Sequence, residues 1–97
     1  MSETGLEYLL ELQDTIESRR NASTERSYTA QLFAAGSSRI AQKVGEEGVE
    51  VAIAAAQGDR PRLKAEAADL LYHLLVLLRS QELSLEDVVT ELAQRRR

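Results

Sequence analysis

The sequence predicts an all-α protein, a bundle of about four to five helices, and three observations predict it. The β-branched residues are scattered rather than gathered into strands, and the segments between breakers such as Gly36 and Gly58 repeat their apolar residues at helical period. Aromatic residues are few, namely Tyr8, Tyr28, Tyr72 and Phe33, so the core must be aliphatic, and the leucines fall at helical spacing. A chain of 97 residues, 43% hydrophobic and 29% charged, suits one globular domain over residues 1–97 with a modest core. So small a core favours completion by dimerisation.

The elements follow in order. A first helix is expected over about Glu3 to Arg20, with Leu6, Tyr8, Leu9, Leu12 and Ile16 on its buried face. Asn21 to Ser27 is polar and reads as a loop. Tyr28 to Ala35 forms a short helix closed by Gly36, a residue suited to the left-handed conformation past a helix end. Ser37 or Ser38 then caps a third helix, from about Ser38 to Gln57, that stops at Gly58. Gly45 and Gly48 lie inside it, each costing up to about 1 kcal/mol against alanine; close approach of a backbone or ligand, or chance with helix packing, would account for them. Asp59 caps a fourth helix, to about Ser80, with Pro61 in the first turn, where proline is best tolerated. That helix is apolar almost all round from Leu70 to Leu78, so it needs cover on several sides, and a partner subunit is the expected cover. The last helix opens on Leu83, Ser84 and Asp87 in the pattern of a capping box, with Leu83 stapled to Val88, and ends in arginines.

Composition excludes several classes. The chain has no cysteine, which removes disulfides, thiolate ligands and a cysteine nucleophile, and a reducing cytoplasm is the expected location. The leucine-rich apolar run Leu74 to Leu78 is far too short to span a membrane. A net charge of -4 argues against nucleic acid as the main partner. The Arg95 to Arg97 cluster reads as favourable charge at a helix C-terminus.

The most informative feature is an acid in the wrong place. At about 100° per residue, Ile40, Val44, Val51 and Ala54 share one helical stripe, and Glu47 lies in its middle with Glu50 and Lys43 on its flank. On the next helix, Glu66, Asp69 and His73 share the stripe of Leu70 and Leu77. Isolated buried carboxylates are costly, whereas several converging on a divalent cation are satisfied together. Each acidic pair is spaced i, i+3, so antiparallel packing of the two helices would gather four carboxylates into one pocket. Such hard oxygen ligands suit magnesium, with manganese as a substitute, leaving positions for water and a phosphate. A water activated by the cation beside a carboxylate base can attack phosphorus, so the implied chemistry is hydrolysis of a phosphoric anhydride. The competing reading is an ordinary solvated helix with a Lys43–Glu47 ion pair.

Other residues near the acids keep their alternatives. Glu46 projects about 100° away from Glu47 and is a base, a support for the ligands or simply exposed. His73 either orients Glu66 or Asp69, binds substrate, or is structural, the commoner role for a lone histidine on a packed helix. Arg39 and Lys43 stand two turns and one turn before Glu47, where cations hold phosphates or merely solubilise. Di-iron chemistry is disfavoured, because it uses Glu-x-x-His pairs on two helices and this chain has one histidine.

Read as strings, Ser27-Tyr28-Thr29, Leu32-Phe33-Ala34-Ala35-Gly36, Lys43-Val44-Gly45-Glu46-Glu47 and Glu66-Ala67-Ala68-Asp69-Leu70-Leu71-Tyr72-His73 closely resemble the phosphoribosyl-ATP pyrophosphohydrolase family. That family belongs to the all-α nucleoside triphosphate pyrophosphohydrolases, whose shared pattern is EExxE followed by ExxD. The acid pattern identifies only the superfamily; the SYT, LFAAG and DLLYH strings are more specific. The resemblance implies the second step of histidine biosynthesis, in which water cleaves phosphoribosyl-ATP between its α and β phosphates to give phosphoribosyl-AMP and pyrophosphate. It also implies a magnesium requirement and a homodimer. Carried over by motif position, Glu47, Glu50, Glu66 and Asp69 are metal ligands and Glu46 assists, making Glu46 and Glu47 the candidate catalytic acids, with Arg39, Lys43 and His73 as candidate substrate-binding residues. Gly48 stands where alanine is expected and Arg39 where lysine is usual, and neither change touches a ligand. In some organisms this domain is fused to the cyclohydrolase that acts next; a chain of this length has no room for one and is expected to act alone. The rival readings are a house-cleaning nucleoside triphosphate pyrophosphohydrolase and a noncatalytic helical dimerisation module.

Overall fold

The computed structural model describes residues 5–96, which form five helices and, among the described residues, no strand: α1 (Tyr8–Ser18), α2 (Tyr28–Ala35), α3 (Ser37–Ala56), α4 (Arg60–Ser80) and α5 (Leu85–Arg95). The all-α expectation is met, and the element boundaries differ in instructive places.

The first helix is shorter than expected. The predicted start at Glu3 lies outside the described residues, and residues 5–7 form a turn whose carbonyls accept from the N–H groups of residues 8–10 at i+3, before regular helix sets in. Its buried face is also displaced: Ile16 is buried as expected, but Leu6 is 85% exposed and Tyr8 46%, while Gln13 is buried. That buried amide is fully used. Gln13 donates from Nε2 to Glu86 at 2.9 Å and accepts from the Leu85 N–H at 2.6 Å, fastening the start of α5 to α1.

The α2–α3 junction corrects a second expectation. Neither Ser37 nor Ser38 caps α3; Gly36 ends α2 and begins α3 at once, so Ser37 is already helical. Gly36 has φ +95° and ψ 164°, outside the left-handed helical basin and in a region open essentially to glycine alone. Freed from capping, the Ser37 hydroxyl meets Ser80 Oγ at 2.9 Å and accepts from Gln81 Nε2 at 2.7 Å, tying the start of α3 to the end of α4. Ser27, read as the end of the loop, by contrast caps α2, accepting from the Ala30 N–H at 3.0 Å.

Helices α3 and α4 form the antiparallel hairpin around which the rest is arranged. Gly58, at φ +69°, closes α3 in a Schellman motif, with its N–H bonded to the Ala55 carbonyl and the Asp59 N–H to that of Ala54. Asp59 then accepts from the Arg62 N–H at 3.1 Å, starting α4 within three residues. At the base of the hairpin, Ile40, Leu75 and Val76 pack with Ile16 of α1 and Leu32 of α2 in the buried core, and Leu9, Leu12, Phe33, Tyr72, Leu77 and Leu85 surround them. Glu17, Arg20 and Arg79 lock the rim of this core. The Arg20 guanidinium beside Glu17 holds that carboxyl below its ordinary range, and Arg20 also lies 4.6 Å over the Phe33 ring. The capping box of α5 is present, Ser84 and Asp87 each accepting from the other's N–H.

Candidate metal centre

Glu47 occupies the stripe that its sequence position foretold. Ile40 and Ala54 are fully buried and Val44 and Val51 half-buried on that face of α3, and the Glu47 side chain between them is only 15% exposed. Glu66, on the second turn of α4, is 21% exposed. One carboxylate oxygen each from Glu47, Glu66 and Asp69 falls within 4.8 Å of the others, close enough for a single cation to touch all three. Antiparallel pairing of two acidic stripes therefore does bring carboxylates together across the hairpin.

Three of the four candidate ligands converge in this way, and Glu50 stands apart. Its Oε1 accepts from Arg62 Nη2 at 2.6 Å, and the same guanidinium lies 3.6 Å from Glu66. Sequence reasoning missed Arg62, although its i, i+4 spacing to Glu66 was a usable signal. Glu46 also lies outside the cluster, exposed, accepting from Gln42 at 3.1 Å and 3.7 Å from Lys43, as its turn away from Glu47 implies. Lys43 spans Glu46 and Glu47, the latter at 4.0 Å, so the Lys43–Glu47 pair of the competing reading exists beside the cluster rather than instead of it. Arg39 is exposed two turns earlier on α3.

His73 is buried, and both of its nitrogens are engaged within the fold. Nδ1 lies 2.8 Å from the Asp69 carbonyl, which can only accept, so Nδ1 carries the proton. In that tautomer Nε2 accepts from the Tyr28 hydroxyl at 2.8 Å. The histidine thus bonds the backbone of Asp69 rather than a carboxylate, and the structural alternative is the one its geometry favours. Thr29 and Tyr72 make a parallel hydroxyl pair, and the rings of Tyr28, Tyr72 and His73 pack together, Tyr28 over Tyr72 at 6.2 Å. Burial raises the Tyr72 phenol above its ordinary value of 10.0, with the Thr29 bond acting against it. Two sequence strings far apart in the chain, Ser27-Tyr28-Thr29 and Tyr72-His73, so form one clasp that docks α2 one turn from Asp69.

Gly45 and Gly48 have open space where a Cβ would stand. Among the described residues no close approach requires either glycine.

Fold and site together define a small all-α protein whose antiparallel helix pair presents a carboxylate triad beside a cationic side chain. The sequence matches the phosphoribosyl-ATP pyrophosphohydrolase family over residues 9–96, and the chain belongs to that family. It is similar to histidine biosynthesis bifunctional protein HisIE of Vibrio parahaemolyticus, 53% identical over 93 residues that cover 96% of this chain and 44% of the relative. The HisIE proteins of Escherichia coli O6:H1 and Shewanella oneidensis are 54% and 57% identical over 88 residues, covering 91% of this chain and 43% and 42% of theirs. The chain spans less than half the length of these curated relatives. Among the described residues no helix is long and apolar enough to cross a membrane.

Proposed function

We propose that this chain hydrolyses phosphoribosyl-ATP to phosphoribosyl-AMP and pyrophosphate, the second step of histidine biosynthesis. The observation that carries the reading is the convergence of Glu47, Glu66 and Asp69, in a chain of this family, within reach of one divalent ion. Three carboxylates suit a hard cation, magnesium with manganese as substitute, and Glu50 completes the set expected from the motif. When bound, the cation supplies charge neutralisation on the phosphate oxygens and makes a nearby water more acidic. Glu46 is the motif's candidate base for the attacking water although it stands exposed outside the triad, while Lys43 and Arg39 lie along the same helix to hold phosphate oxygens. Water adds across the α–β anhydride, its hydroxyl going to one phosphorus as the bridging oxygen leaves on the other.

The active form is a homodimer. Val49 and Ile53 on α3 and Leu71 on α4 are 58%, 40% and 44% exposed, an apolar surface on the site-bearing hairpin that a second copy would cover.

Incubation with phosphoribosyl-ATP in magnesium or in EDTA, beside a panel of nucleoside triphosphates, tests the reading. Magnesium-dependent release of pyrophosphate with strong preference for phosphoribosyl-ATP is the expected result. Equal cleavage of the panel would overturn the substrate, and turnover in EDTA would overturn the metal.

A further inference from the structure

We propose that Arg62 is a built-in counter-cation of the acid site, competing with the divalent ion for Glu50 and Glu66. The inference rests on the metal-site reading above and concerns how that site is filled. The Arg62 guanidinium bridges the two helices near the turn of the hairpin. Nη2 donates to Glu50 Oε1 at 2.6 Å, Nε lies 3.6 Å from Glu66 Oε2, and Nη1 donates to Gln57 Oε1 at 3.1 Å. Glu66 therefore belongs to two constellations at once, the triad with Glu47 and Asp69 and the pair with Arg62. Glu50, the one expected metal ligand outside the triad, is the acid that Arg62 holds most closely.

Electrostatics makes the two cations alternatives. Without an ion, Lys43 and Arg62 offset the mutual repulsion of the carboxylates across the hairpin. A divalent ion among Glu47, Glu66 and Asp69 repels a guanidinium so close by, and Glu50 joining the ion through its other oxygen would hold Arg62 against that repulsion. The side chain has somewhere to go. Its backbone is fixed by the Asp59 cap, but the side chain is 36% exposed and can swing outward without breaking the helix. The tethered charge stabilises the metal-free protein and weakens metal affinity. Partly exposed ion pairs of this kind correspond to a loss of about two- to fivefold in affinity.

Direct binding decides the point without an activity assay. Manganese affinity is measured by the loss of free-ion paramagnetic resonance signal for wild type, Arg62→Gln and Glu47→Gln, with melting curves in EDTA and in magnesium. Arg62→Gln is expected to bind manganese about two- to fivefold more tightly, to melt lower than wild type in EDTA, and to gain more from magnesium. Equal or weaker binding by Arg62→Gln, with binding lost in Glu47→Gln, would overturn this inference and leave the metal site standing. Failure of both wild type and Arg62→Gln to bind the ion would overturn both. Binding by Arg62→Gln alone would support the competition in its strongest form.

Discussion

The two ends of the α3–α4 hairpin are built from the same helices and on opposite principles. At its base, Ile40, Leu75 and Val76 are buried against α1 and α2, and polar side chains serve as fasteners around an apolar centre. Toward its tip, Ala54 is fully buried, and the space between the helices is given to Glu47, Glu66, Asp69 and the cations that face them. The base is held by burial, which is non-directional and additive with area. The tip is held by charges of both signs, Glu47 facing Lys43 and Glu50 and Glu66 facing Arg62. The contrast teaches that stability and chemistry are placed apart along one pair of helices, with His73 and its clasp at the boundary between them.

The comparison can be broken most forcefully at the base. Ile40→Ala removes a fully buried side chain from the small core and should cost about 2–5 kcal/mol, read as a fall in urea midpoint. Glu47→Gln and Asp69→Asn at the tip should leave the unfolding free energy from urea titration within about 1 kcal/mol of wild type yet lower hydrolysis at least on the order of a hundredfold. Wild-type turnover in either variant would remove these acids from the candidate ligands, and unfolding by either would erase the distinction between the two ends.

A smaller effect probes the boundary. Tyr72 is an acid whose value in the folded protein is raised, chiefly by burial. Its contribution to stability is fully present below its unfolded value of 10.0 and is lost as the pH rises through the raised folded value, because the unfolded chain ionises first. Tyr72→Phe should therefore flatten the fall in melting temperature between about pH 9 and 11, and an unchanged slope would remove the burial argument.

The smallest expected effect sharpens the account of the tip. With open space at its Cβ position, Gly45→Ala should stabilise the isolated chain by about 0.5–1 kcal/mol through helix propensity alone. A loss of stability that grows with protein concentration would instead place a partner's backbone against α3.

Much of this was legible in the sequence, and the misses share a cause. Glu47 could be read because a carboxylate interrupting an apolar stripe is a local signal, fixed by helical period. Gly58 and Asp59 likewise declared the hairpin turn, and Ser84 with Asp87 the start of α5. Ser37 misled because capping depends on how many residues a turn consumes, and Gly36 completes the α2–α3 turn alone. Leu6 and Tyr8 were expected inside because amphipathic spacing does not say how far a helix extends over its neighbours. The Tyr28–His73 bond joins residues 45 positions apart, and the hold of Arg62 on Glu50 crosses the hairpin, so each depends on a tertiary approach that periodicity does not encode.

The three-residue turn between α3 and α4 has one more consequence, for the time course of folding. Glu47, Glu66 and Asp69 lie within a short stretch of chain and meet through contacts close in sequence, so the entropy of closing the loop between them is small and the pair can form early. Charge repulsion rather than chain search then sets the difficulty of that step. A divalent ion or an arginine side chain present at that moment would act on the rate of folding as well as on the finished protein.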